Sequence, residues 1–294
     1  MLVIDMSMAP LPPESRSGEL EPGLYIVATP IGNLGDITLR AADVLKSAAL
    51  IAAEDTRVTA KLLARIGSDR PMVPYHDHSD SRVRARLLER MRNESVALVS
   101  DAGTPLISDP GFKLVREARA EGIAVTTIPG PCAAIAALTL AGLPTDRFLF
   151  AGFLPTKAKA SADTIAEFAG LDATLVFYES GNRLARTLEA LKDGLGDRPA
   201  AVAREITKAF EETVIGTLGD LAVRYADAPP KGEIVIVVGP PEPAAPADAD
   251  TLDAALAAAM RAQPLKSAVA EVSVALGLPR RQVYARALEL RGDE

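Results

Sequence analysis

The stretch Leu24-Tyr25-Ile26-Val27-Ala28-Thr29-Pro30-Ile31-Gly32-Asn33-Leu34-Gly35-Asp36 decides how this chain is read. Leu24 to Ala28 is an apolar run without alternation, the pattern of a strand covered on both faces. It breaks into a turn rich in Pro, Gly and Asn, and a helical pattern follows from Leu39 to Ser47. The same succession recurs outward. Further strands are predicted at Ala49–Ala53, Val96–Val99, Ala124–Ile128, Ala173–Tyr178 and Glu233–Val238. Helices are predicted at Thr56–Ile66, Ser81–Met91, Phe112–Ala120, Cys132–Ala141 and Arg183–Lys192. Strands alternating with helices argue an α/β architecture.

The chain has 294 residues, 48% hydrophobic and 24% charged, which predicts about two domains. The expected divisions are a loose tail over residues 1–22, α/β halves over 23–130 and 131–239, a Pro-rich acidic linker over 240–250 and a helical module over 251–294. In that module Leu252–Met260, Leu265–Leu276 and Arg280–Leu290 carry helical spacing, and Gly277-Leu278-Pro279 reads as a helix-to-helix turn. No apolar run approaches the ~20 residues of a membrane span. The longest, Ala133 to Leu143, is broken by Thr139. The start lacks a basic region followed by an apolar block, so no signal peptide is expected. The single cysteine, Cys132, allows no internal disulfide or Cys-based zinc site, and a reducing cytoplasm is the expected home. The net charge of −7 argues against a generally basic nucleic-acid coat but not against a local basic face.

Ligands of α/β sheets sit beyond the carboxyl ends of strands, so the turns after the strands carry the functional reading. The turn after Ala28 lacks the G-x-G-x-x-G spacing and holds Pro30, which has no N–H to donate. The chain has no G-K-[ST] either. A phosphate cradle needs free N–H groups, so a cofactor without a pyrophosphate fits better than ATP or NAD. After Val99 comes Ser100-Asp101-Ala102-Gly103-Thr104-Pro105-Leu106-Ile107-Ser108-Asp109-Pro110-Gly111, whose glycines suit close approach of the backbone to a ligand. Asp101 is placed to accept from a ribose or an amine, whereas Asp109 is expected to cap a helix that begins at Pro110. After Ile128, Pro129-Gly130-Pro131-Cys132-Ala133-Ala134 puts small residues at a helix start. Together the three turns predict a bound small molecule.

These turns, with Ala53-Glu54-Asp55-Thr56-Arg57, Phe177-Tyr178-Glu179-Ser180, Ala203-Arg204-Glu205-Ile206-Thr207-Lys208 and Lys231-Gly232-Glu233, resemble the ribosomal RNA small subunit methyltransferase I family in order from about Gly23 to Gly239. The resemblance implies the tetrapyrrole-methylase fold, two α/β domains with the cofactor in the cleft between them. It implies methylation by S-adenosylmethionine of a cytidine ribose 2′-hydroxyl in the decoding region of 16S rRNA, C1402. It implies a homodimer and, by position, cofactor contacts at Pro30, Asp101, Ala102, Gly103, Thr104, Cys132, Ala133, Tyr178 and Arg204. One departure stands out: the family commonly has a histidine where this chain has Asn182.

A ribose hydroxyl is a weak acid, so a base or charge stabiliser is expected. Lys208 with a lowered pKa is the candidate, oriented by Glu205 or Glu179. Between Arg57 and Arg92 nine basic residues face four acidic ones, a local charge of +5. Six face two between Arg261 and Arg291. Such runs suit phosphate tracking, with Arg57, Arg82, Arg84, Arg86 and Arg183 as the expected RNA contacts. An assembled small subunit suits an acidic enzyme that binds RNA through a restricted face. His76-Asp77-His78 has no evident third ligand nearby, so no metal is expected. Two other readings are a tetrapyrrole C-methyltransferase of the same fold, disfavoured by the Thr29–Asn33 turn, and a non-catalytic ribosome assembly factor, which would not need open cofactor turns.

Overall fold

The computed structural model describes residues 20–76, 80–242 and 249–292. The expected tail up to residue 19, Asp77 and His78 of the histidine motif, and residues 243–248 of the expected linker lie outside them. The chain divides into two units at Pro240 and Pro241.

The first unit opens with β1 (Gly23–Val27), α1 (Leu39–Ser47), β2 (Leu50–Ala53), α2 (Thr56–Ile66), β3 (Met72–Pro74), α3 (Ser81–Met91), β4 (Ser95–Val99), α4 (Phe112–Ala120) and β5 (Val125–Ile128). The strands form a parallel five-stranded sheet in the order β3-β2-β4-β1-β5. Alternate residues of each strand point to opposite faces. Leu50, Ala52, Val96 and Leu98 pack under Leu87, Leu88 and Met91 of α3 and Leu114 and Ala118 of α4. Ile51, Ala53, Ala97 and Val99 pack under Val44 and Leu45 of α1 and Leu62 and Leu63 of α2. Helices on both faces are the physical reason the strands read as unbroken apolar runs.

The rest of the unit holds α5 (Ala133–Leu140), β6 (Phe148–Phe153), α6 (Ala158–Phe168), β7 (Thr174–Ser180), α7 (Leu184–Leu195), β8 (Pro199–Arg204), β9 (Glu212–Thr217), α8 (Leu218–Ala226) and β10 (Glu233–Val238). The second sheet runs β6-β7-β10-β8-β9, with β6 and β7 parallel and the remaining pairs antiparallel. One face, with Phe177, Val202 and Ile236, is covered by α6, α7 and α8 through Ile165, Leu188 and Leu221. The other, with Val176, Ala201, Ala203, Val235 and Val237, receives Ala134, Ala137 and Leu138 of α5 and also Ile31 from the turn after β1. That packing sets the first sheet's turns against the second sheet.

The second unit is a three-helix module of α9 (Ala249–Ala262), α10 (Leu265–Ala275) and α11 (Arg280–Gly292). Leu252 and Leu256, Val269 and Val272, and Val283 and Ala287 form its core with Leu278. Gly277 at φ +62° reverses the chain between α10 and α11, and the Leu278 N–H donates to Ser273 O at 3.1 Å. This is a glycine helix stop. Among the described residues no helix is long and apolar enough to cross a membrane.

Candidate active site

In the first sheet β2, β4, β1 and β5 are successive neighbours, so their carboxyl ends open side by side. The turns that leave them are bonded to one another. Thr29 and Gly103 exchange backbone bonds, Thr29 N–H to Gly103 O at 2.8 Å and Gly103 N–H to Thr29 O at 3.1 Å. The Asp55 N–H donates to Asp101 Oδ1 at 2.9 Å, and the Asp101 N–H donates to Glu54 Oε2 at 3.3 Å. The Thr104 hydroxyl donates to Pro131 O at 2.9 Å. Gly103 has φ +80°, and a Cβ there would meet Ile31 Cγ2 at 3.2 Å, so only glycine sits there without strain.

Opposite stands one end of the second sheet: Phe153 at the end of β6, Tyr178, Glu179 and Ser180 of β7, Ile206 after β8, and Gly232 to Val235 where β10 begins. Between the two walls lies a cavity of about 390 Å³. The first-sheet wall is acidic with Glu54, Asp101 and Asp109, and Ile31, Ala133, Ile206, Val235, Phe153 and Tyr178 supply the apolar lining. The Tyr178 ring is packed edge-on between Phe150 and Phe153, at centroid distances of 4.9 and 5.6 Å. Its hydroxyl accepts the Ala134 N–H at 3.2 Å. Burial, and next the Cys132 thiol, push the phenol above its usual range, so Tyr178 is a neutral anchor for the start of α5.

Burial pushes the Asp109 carboxyl up to about 6; a bond from Ser100 opposes the shift and the charges of Glu54 and Asp101 reinforce it. The expected cap role fails. α4 starts at Phe112 with Gly111 as its N-cap and no side-chain cap bond, which frees Asp109 to face the cavity. Asp55 does cap α2, accepting the Arg57 N–H at 2.8 Å. The Arg57 side chain bonds back and holds that carboxyl down at about 2.

The structure gathers Asp101, Ala102, Gly103, Thr104, Cys132, Ala133, Tyr178 and Glu179 around the cavity. Pro30, Arg204, Glu205 and Lys208 are not among its lining residues. Pro30 is buried behind the turn, and Arg204 is turned to Glu212 at 3.2 Å and to Lys231 O at 3.4 Å. Glu179, only 3% exposed, accepts from Ser180 N–H at 2.8 Å and from the Thr187 hydroxyl at 2.7 Å, and pairs with Arg183 at 3.4 Å. It therefore does not orient Lys208. The Lys208 ammonium instead donates to Glu205 at 2.9 Å and Glu233 at 3.1 Å. Burial works against its charge, but these two bonds outweigh burial and hold its pKa above the usual lysine value. The lowered pKa expected for Lys208 is thus reversed. The same bond to Lys208 holds Glu205 below the usual carboxylate range.

Three of the expected RNA contacts are engaged within the protein, Arg57 with Asp55 while remaining exposed. Arg84 pairs with Glu117 at 3.1 Å and its side chain is only 16% exposed. Arg183 donates to Leu154 O at 2.9 Å besides meeting Glu179. Arg57, Arg82, Arg86 and Asn182 are exposed. Among the described residues no group of three or more His, Cys, Asp or Glu is placed to hold a metal ion. Sequence reasoning missed Asp109, Phe153 and Glu233 as cavity residues. The Lys231-Gly232-Glu233 motif was a signal for Glu233, and nothing in the sequence singled out Phe153.

Two α/β layers with a cavity at the strand ends define a class of protein. Residues 23–222 match the family described as Tetrapyrrole (Corrin/Porphyrin) Methylases, and residues 245–291 match the RsmI C-terminal HTH domain. Solved structures share the fold. A uroporphyrin-III C-methyltransferase from Thermus thermophilus, complexed with S-adenosylhomocysteine, aligns at TM-score 0.52 and 22% identity over 74% of this chain and 97% of that one. A diphthine synthase aligns at TM-score 0.58 and 16% identity over 74% and 89%. Among curated relatives, the ribosomal RNA small subunit methyltransferase I of Erythrobacter litoralis is 53% identical, over 92% of this chain and 96% of its own. That of Mesorhizobium japonicum is 50% identical over 92% and 93%, and that of Escherichia coli O157:H7 is 45% identical over 92% and 96%. The chain belongs to the ribosomal RNA small subunit methyltransferase I family.

Proposed function

We propose that this chain uses S-adenosylmethionine to methylate 16S rRNA within the small ribosomal subunit, at the ribose 2′-oxygen of a cytidine, C1402. The observation that carries the reading is the cavity of about 390 Å³ closed by the turns after β1, β4 and β5, in a chain 53% identical to a named rRNA methyltransferase. The cavity fits such a donor on its own chemistry. Gly103 keeps one wall free of a side chain. The carboxylates of Glu54, Asp101 and Asp109 suit hydroxyl groups and positive charge, and Ile31, Ile206, Val235 and the Phe153 and Tyr178 rings suit a purine.

S-adenosylmethionine supplies a methyl group already activated on a sulfonium. The protein's part is then mainly to hold the two reactants in line. The acidic wall favours cationic charge in the cavity. Glu179 positions the start of α7 by fixing Ser180 and Arg183. Lys208 and Glu205 remain our catalytic pair in a changed role. A lysine held protonated is no base, but its ammonium is bonded to Glu233, which lines the cavity, and from behind that wall it stabilises negative charge developing on the attacking oxygen. Asp109, with a carboxyl near 6, is the lining group best matched to accept a proton near neutrality. Arg57, Arg82 and Arg86 are proposed for RNA phosphates, Pro30 and Arg204 as supports of the cofactor turns. A cytoplasmic homodimer, with α/β halves at 23–130 and 131–239, completes the proposal.

Purified protein with labelled donor is offered small subunits, naked rRNA and a porphyrin precursor, and the product is digested to nucleosides. Label in 2′-O-methylcytidine from the RNA is expected. Label on a base, or on the porphyrin alone, refutes the reading. Lys208→Met is expected to lower single-turnover methylation at least tenfold while leaving donor affinity within about twofold. An unchanged rate removes Lys208 from the chemistry.

A further inference from the structure

Within the helical module, the first turns of α10 and α11 border a surface hollow of about 520 Å³ lined by Lys266, Val269, Arg280, Arg281 and Tyr284. Val269 is 1% exposed and belongs to the module's core, so it is the floor, while Tyr284 is 41% exposed and offers its ring at the side. Among the described residues Lys266, Arg280 and Arg281 make no ion pair or side-chain hydrogen bond. Their neighbour Arg286 behaves differently: it donates to both carboxylate oxygens of Asp253, at 2.7 and 2.6 Å, and to Glu289 at 2.7 Å. The module can therefore pair its cations, yet leaves three of them unpaired around one hollow. Lys266 lies in the first turn of α10, and Arg280 and Arg281 lie in that of α11. The positive ends of both helix dipoles add to the same field. In a chain of net charge −7 such a concentration is self-repelling unless an anion neutralises it.

We propose that this hollow is a second RNA contact, in which Lys266, Arg280 and Arg281 take backbone phosphates and the Tyr284 ring stacks on a base. The inference rests on the reading of the chain as an rRNA-modifying enzyme. Charge selects a polyanion. An exposed aromatic beside unpaired cations selects nucleic acid over an acidic protein surface, because every base offers a face to stack on. Two or three phosphates fit the cation count, so the contact helps hold the substrate and takes no part in methyl transfer.

The test uses the full chain with Lys266, Arg280 and Arg281 all changed to Gln, and separately Tyr284→Leu, each checked for an unaltered melting temperature. Binding to naked 16S rRNA is measured across a salt series. The expected result for the triple variant is about tenfold weaker binding and a log–log salt slope smaller by about 2. Tyr284→Leu weakens binding severalfold with the slope kept, and donor affinity is unchanged in both. Wild-type slope and affinity in a folded triple variant overturn the proposal. So does a loss confined to assembled subunits with naked rRNA binding intact, which assigns the hollow to an acidic protein surface. If the triple variant fails to fold, Arg281→Gln alone is read in the same way. Wild-type protein that retains the donor but binds no RNA refutes the function above; wild-type binding that the variants leave untouched refutes only this hollow.

Discussion

Asp109 holds its proton to a higher pH than a free aspartate does, and this has a sign that can be measured. Its folded-state pKa is about 6, against about 3.9 for a free aspartate. The folded state therefore binds the proton more tightly than the unfolded chain. Stability from this group is fully present below about pH 4 and is lost as the pH rises through 6. At pH 8 the half-buried carboxylate costs up to about 3 kcal/mol, from about 1.4 kcal/mol per pKa unit and less where solvent reaches it. Asp109→Asn should therefore stabilise the fold at pH 8 by about 1–3 kcal/mol, with the advantage gone by pH 4.5, as read from urea denaturation at the two pH values. Equal stability of wild type and variant at pH 8 would show that the carboxyl is well solvated. The residue itself was hidden in the sequence by a plausible local role: Asp109-Pro110 has the signature of a helix start, and only the onset of α4 three residues later, at Phe112, frees it. The state of Lys208 is hidden for the opposite reason. Its partners Glu205 and Glu233 are 28 residues apart in sequence yet joined by a 3.1 Å bond from the Glu233 N–H to Glu205 Oε1, a proximity that no local pattern reveals.

Helix boundaries were the most legible feature, because caps and amphipathic spacing are local. α1 to α4 fall where periodicity put them. The strands that escaped lack a local signal. β6 carries Gly152 at φ +65° and a register shift between Phe150 and Gly152, which breaks any regular alternation. β8 is Pro-Ala-Ala-Val-Ala-Arg, poor in β-branched residues, and its place is set by burial between β10 and β9. α6 buries Ile165 alone, and α8 begins at a Thr217–Asp220 capping box that was there to be read. Two predictions belong at this scale. Glu179 joins β7 to α7, and Glu179→Ala strands the partly buried Arg183 beside it; a loss of about 3–5 kcal/mol in denaturant unfolding is expected, and a loss under 1 kcal/mol would mean the pair contributes nothing to the fold. On α3, Arg82 and Arg86 are exposed whereas Arg84 is tied to Glu117 of α4. Changing Arg82 and Arg86 to Gln should reduce the salt slope of RNA binding by about 1–2 with little change in melting temperature. Arg84→Gln should instead lower the melting temperature and spare the slope. The reverse pattern would show that α3 presents a different face to RNA.

At the scale of the whole molecule, the α/β class and the turns that converge could be read from strand-and-turn grammar, and the resemblance supplied the cleft. What the sequence concealed is that the second sheet is largely antiparallel, because a parallel and an antiparallel buried strand carry the same apolar run. A ligand held between the two sheets of the first unit stabilises both together. Saturation with S-adenosylmethionine at a hundred times its Kd should raise unfolding free energy by about 2.7 kcal/mol, measured by calorimetry. No shift at saturating donor would place its site elsewhere.

β10 is the last strand of the α/β unit to be synthesised, yet it lies in the middle of its sheet, between β7 and β8. A nascent chain that has reached only residue 230 therefore carries β7 and β8 with no partner between them and a cavity lacking Gly232 to Val235. The first sheet has all of its strands by Ile128 and can close while translation continues; the second must wait. Competence for catalysis thus arrives in a single late step, and any truncation upstream of Val238 removes the keystone of half the enzyme rather than trimming its margin.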